Sequence, residues 1–147
     1  MEYHIFYSWQ SDLDQLEIDQ KRQIRNAIES SKSKIESATD YSLFIDEATR
    51  GTTGAINIVE SIQQKINECD VFIADVSIIN RGSKFRQTAN PNVMFELGLA
   101  SESIGWDNII LILNEHYGQS DDLPFDIKTR PAIKFKNYPS LVRAQCR

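Results

Sequence analysis

The chain has 147 residues, 41% apolar and 25% charged, with a net charge of −5. At this length folding hides roughly 70% of the unfolded surface, so one core can form without metals or disulfides. The acidic balance excludes a nucleic-acid wrapper, which needs a basic stripe to displace phosphate counterions. Sixteen Lys and Arg still leave room for a local anion pocket. Cys69 and Cys146 match no metal-ligand spacing, and no apolar run is long enough for a membrane span. The start, Met1-Glu2-Tyr3-His4, has no basic n-region. These features predict a cytoplasmic domain over residues 1–147, without bound metal and without membrane or nucleic-acid partners.

Short apolar runs alternate with longer amphipathic ones, the pattern of a parallel sheet with crossover helices. His4-Ile5-Phe6-Tyr7 reads as a first strand. Residues 19–37 place Ile24, Ala27, Ile28 and Ile35 at helical spacing among Lys, Arg and Glu. Tyr41 to Ile45 reads as a second strand, and Ile58, Val59, Ile62 and Ile66 mark a second helix. The continuous runs Val71-Phe72-Ile73-Ala74 and Ile109 to Leu113 suit strands covered on both faces. Between them Asn90 can cap a third helix with Pro91 at its first position, and Val93, Leu97, Ala100 and Ile104 keep helical spacing. Ala132 to Phe135 is a weaker fifth strand, and a fourth helix is expected near Leu141.

Right-handed crossovers leave few arrangements for this order, and we expect an α/β, flavodoxin-like sheet of five parallel strands, order 2-1-3-4-5, with helices on both faces. That order reverses between strands one and three, so a ligand crevice is expected at their carboxyl ends. Ser8, Trp9 and Gln10 face it after strand one; Asp75, Val76 and Ser77 face it after strand three. The second strand's tip adds Asp46 and the loop to Gly54. Tyr7 should point to the opposite side from Ser8. The crevice lacks the clustered acids of a phosphorylated receiver and the glycine-rich phosphate loop of a flavin site. Neither G-x-G-x-x-G nor G-x-x-x-x-G-K-[ST] occurs.

Glu96 stands out within Val93-Met94-Phe95-Glu96-Leu97-Gly98-Leu99-Ala100, the single charge in an otherwise apolar run. It falls on or beside the core-facing stripe of the third helix. A carboxylate beside an apolar-walled cleft can stabilise a developing positive charge, as cleavage of an N-glycosidic bond requires. The alternative is a solvated Glu at a helix edge.

Four segments together resemble bacterial TIR-like domains, a group that includes nucleotide-binding proteins of antiphage defence. They are Phe6-Tyr7-Ser8-Trp9-Gln10-Ser11-Asp12, Cys69 through Ser77, Asn90 through Gly98, and Asp122-Leu123-Pro124-Phe125-Asp126. The resemblance implies a TIR fold and cleavage of NAD, as substrate rather than cofactor, at the nicotinamide–ribose bond. The products would be nicotinamide and ADP-ribose or a cyclic or modified ADP-ribose. Glu96 matches the family's catalytic glutamate. A homo-oligomer on activation is also implied, as is a sensor domain or partner protein if the chain is the N-terminal domain of a longer one. Asn90-Pro91-Asn92 departs from the Ser or Cys and Trp that many TIR domains carry there. In this respect the helix is also similar to that of nucleoside deoxyribosyltransferases.

On the TIR reading Ser8 holds a ribose hydroxyl or phosphate and Trp9 stacks on nicotinamide or adenine. Asp46 bonds ribose hydroxyls, Arg50 and Arg81 meet the pyrophosphate, and Asp75, Ser77 and Asn92 complete the substrate contacts. Each has a structural alternative: a turn cap for Ser8, a core lid for Trp9, a loop cap for Asp46, solvated surface for the arginines, and satisfaction of loop amides for Asp75. Two other functions fit the same residues, a non-catalytic nucleotide-binding or assembly module and a nucleoside deoxyribosyltransferase-like glycosyl transfer.

Overall fold

The computed structural model describes residues 1–13, 20–48 and 55–136. Its elements are β1 (Glu2–Ser8), α1 (Gln20–Ala38), β2 (Ser42–Glu47), α2 (Ala55–Glu68), β3 (Val71–Asp75), α3 (Pro91–Ser103), β4 (Ile109–Asn114), α4 (Phe125–Lys128) and β5 (Ala132–Phe135). All strand pairs are parallel and the order is β2-β1-β3-β4-β5. This is the order expected from the alternation of apolar runs and helices.

Because side chains alternate across a strand, the sheet sorts its residues into two layers. Phe6, Phe72, Ala74, Leu111 and Leu113 join Ile66 of α2 and Val93, Leu97 and Ala100 of α3 in the larger core. Within it the rings of Phe6 and Phe72 lie nearly parallel, with centroids 5.7 Å apart. Tyr7 and Ile73 turn the other way and pack with Ile24 and Ile28 of α1. Residue parity on β1 and β3 therefore decides which helix each tip residue will meet.

Helices α1 and α2 bury narrower stripes than their sequence spacing predicts. On α1 the buried positions are Gln20, Ile24 and Ile28, one per turn, whereas Ala27 is exposed and Ile35 is 41% exposed. On α2, Ile66 is fully buried while Val59 faces outward. The helix start at Asn90 is as read: its side-chain oxygen accepts from the amides of Asn92 and Val93, at 2.8 and 3.3 Å, and Pro91 opens the first turn. The second strand begins one residue later than expected and runs on to Glu47. The fourth helix expected near Leu141 lies outside the described residues, and a single turn, α4, instead precedes β5.

Beyond β3 the chain stays buried through Ile78, and the amide of Val76 still bonds the carbonyl of Ile112 on β4. Gly118, in the loop after β4, sits where a Cβ would run into the Ile78 side chain. These contacts draw the loops after β3 and β4 together at the carboxyl edge of the sheet.

Candidate active site

Ser8 is the last residue of β1 and shares parity with Phe6, so its side chain is presented to the α3 layer. On α3 the buried positions are Val93, Glu96, Leu97 and Ala100, the i, i+3, i+4, i+7 stripe of a helix laid on a core. Strand tip and helix stripe meet: the Ser8 hydroxyl donates to Oε2 of Glu96 at 2.5 Å. Ser8 is fully buried and Glu96 is 4% exposed. A carboxylate so enclosed needs donors in place of water, and a fixed hydroxyl supplies one. With Val93 and Leu97 beside it, the carboxylate has apolar neighbours along its own helix.

Asp75 and Ser77 lie at the end of β3 but belong to a different assembly. Asp75 shares parity with Ile73 and turns toward α1, where its Oδ2 accepts from Gln20 at 2.8 Å and from Gln10 at 3.2 Å. Its Oδ1 accepts the amide of Ser77 at 3.1 Å. The Ser77 hydroxyl in turn accepts from the Gln20 side chain and from the Asn114 backbone amide, and the Asn114 side chain donates to the Gln20 side-chain oxygen at 2.9 Å. Gln10, Gln20, Asp75, Ser77 and Asn114 are all buried. Burial pushes the Asp75 carboxyl up from its ordinary value, against the opposing pull of the Ser77, Gln20 and Gln10 hydrogen bonds. This network ties together the carboxyl ends of β1, β3 and β4 and the first turn of α1.

The remaining expected contacts are dispersed. Trp9 packs on the α1 side, its ring nitrogen donating to the Ala48 carbonyl at 2.9 Å and one face covered by the Lys21 ammonium at 3.5 Å. Asp46 pairs in register with Phe6, before the end of β2, and is bound to Lys65 of α2 at 3.0 Å. Arg81 is exposed and donates to the His116 carbonyl at 2.6 Å. Asn92 is exposed on the first turn of α3, where its backbone amide is capped by Asn90. Arg50 lies outside the described residues. Of the expected set, the structure brings Ser8 to Glu96 and Asp75 to Ser77, in two groups turned toward opposite layers.

Two members of the buried network, Gln20 and Asn114, are not site residues on the sequence reading, and Gln10, expected to face the crevice, is there given no role. Gln20 carried a usable signal, since it lies four residues before Ile24 and eight before Ile28 on the buried stripe. Asn114 ends an apolar strand, which alone does not distinguish it from a turn residue.

No protein-family model matches the chain, and no curated protein sequence matches it. Among solved structures, a 2-desoxiribosyltransferase from Leishmania mexicana matches with a TM-score of 0.50 at 19% identity, over 76% of this chain and 65% of that one. The chain thus spans about 65% of that enzyme's length. A CMP N-glycosidase from Clostridium botulinum matches with a TM-score of 0.45 at 17% identity, over 91% of this chain and 90% of that one. The likeness to the first is one of fold: a flavodoxin-like sheet of five parallel strands.

Proposed function

We propose that this protein breaks, or transfers across, the N-glycosidic bond between sugar and base of a nucleoside or nucleotide, with Glu96 as the catalytic carboxylate. The observation that carries the reading is the buried Ser8–Glu96 pair, at the carboxyl end of β1 where the strand order reverses. Departure of the base takes the C1′–N electron pair with it and leaves C1′ electron-poor. A carboxylate fixed beside C1′ either stabilises that charge or adds to it as an ester, after which water or a second base attacks C1′. The Ser8 hydroxyl holds one carboxylate oxygen in a set direction, so Glu96 need not reorient as charge develops.

The fold shared with a deoxyribosyltransferase supports nucleosides as the substrate class. NAD is a second reading, supported by the four TIR-like segments, and the bond broken is of the same type. The test is chromatography of free base after incubation with 2′-deoxynucleosides plus a second free base, with nucleoside 5′-monophosphates, and with NAD. Each is run at high and low protein concentration, because the assembly implied by the TIR-like segments would raise activity per chain as concentration rises. We expect release or exchange of base from one substrate class by the wild-type chain and none by Glu96→Ala. Equal release by the variant, or no release from any class at either concentration, contradicts the proposal.

A further inference from the structure

We propose that Asp12 and Asn90 form a latch that holds the turn at Asp12 and Leu13 against the head of α3 and so places Glu96 against Ser8; its catalytic meaning rests on the function proposed above. Asn90 uses both ends of its side-chain amide. The oxygen caps α3 by accepting from Asn92 and Val93, while the nitrogen donates to the Asp12 carboxylate, 78 residues away in the chain. Asp12 is itself held from behind: its backbone amide donates to the Gln10 side-chain oxygen at 2.7 Å, as does that of Leu13 at 3.3 Å. Gln10 in turn donates to the buried Asp75. The turn is therefore fastened to the end of β3 on one side and to α3 on the other.

The geometry gives this second fastening a purpose. Ser8–Glu96 joins the last residue of β1, and Asp12–Asn90 the stretch after it, to the second turn and the head of α3 respectively. Their helix ends are separated by six residues, about 9 Å along the axis at 1.5 Å per residue. With Val93, Leu97 and Ala100 seated in the core, a second hydrogen bond at this separation from the first adds a restraint on the tilt and slide of the helix at its N-terminal end. The Asp12 carboxylate at this end of the helix also suits the partial positive charge of the N-terminus. Asp12 and Asn90 are thus positioning residues that act through α3.

The test exchanges the polarity of the pair. Asn90→Asp keeps the cap oxygen, and Asp is as good a cap as Asn, but it sets carboxylate against carboxylate and opens the latch. Asp12→Asn combined with Asn90→Asp restores a donor facing an acceptor. The first readout is hydrogen–deuterium exchange at the amides of Asp12 and Leu13, which needs no catalysis. We expect about tenfold faster exchange in Asn90→Asp, returning to within about threefold of wild type in the double variant. The second readout is base release, where kcat is expected to fall at least about tenfold with KM little changed, and to recover in the double variant. Melting temperature is followed throughout and is expected to stay level, which separates an open latch from a lost helix cap.

Unchanged exchange in Asn90→Asp, or no recovery in the double variant, overturns the latch. Faster exchange with unaltered kcat overturns its positioning of Glu96. A wild-type chain that releases no base from any substrate removes the proposed function, and the exchange arm then decides the latch by itself.

Discussion

Glu96 and Asp75 sit at the same edge of the sheet, yet their surroundings assign them different work. Glu96 is met by the Ser8 hydroxyl on the α3 side. Asp75 is enclosed by the amides of Gln10 and Gln20 and the backbone of Ser77, and it joins strand ends rather than facing the Ser8–Glu96 pair. Burial raises its pKa above the ordinary carboxylate value, so the native chain keeps a proton that the unfolded chain releases. The sign follows from linkage. Stability supplied through this proton is fully present below the unfolded pKa and is lost as pH rises through the native one, with a slope of at most about 1.4 kcal/mol per pH unit. Asp75→Asn removes the titration. Urea unfolding across a pH series should therefore show the variant gaining on wild type as pH rises from about 4, and parallel curves would contradict the raised pKa.

At the scale of elements, α3 carries both the core stripe and the Glu96 carboxylate, so core packing sets where that carboxylate lies. Leu97 is 2% exposed and lies next to Glu96 on the stripe. Leu97→Ala should cost about 2–5 kcal/mol in denaturant unfolding and lower base release at temperatures where the fold is intact; a loss below about 1 kcal/mol would contradict its place in the core. Most of this architecture is legible in the sequence. The runs at Val71 and Ile109, the Asn90-Pro91 start and the spacing of Val93, Leu97 and Ala100 are local signals with one physical reading each. The strand order follows from handedness, and the burial of Glu96 on the α3 stripe from its isolation in an apolar run. The rest depends on which face a tip residue takes. Asp75 and Ser8 look alike as polar residues ending strands, but pairing Ser8 with Ala74 in register sends Asp75 to the opposite layer. Likewise Asp46 looks like a strand tip until its register with Phe6 turns it toward Lys65. Such contacts join residues tens of positions apart and have no local signature.

On the scale of the whole molecule, the parallel sheet gathers the ends of β1, β3 and β4 at one edge, and buried polar groups lock that edge from the α1 side while the Ser8–Glu96 pair occupies the α3 side. Rigid support on one face and an enclosed carboxylate on the other is the division of labour that a preorganised site requires. On the proposed function the fold holds Glu96 for sugar–base chemistry. The decisive comparison is kcat/KM for base release by wild type and by Glu96→Gln, which keeps the shape and the Ser8 contact while removing the charge. We predict a loss of about 10²–10³-fold or more with an unchanged melting profile. Turnover within a few-fold of wild type in that variant would contradict the claim.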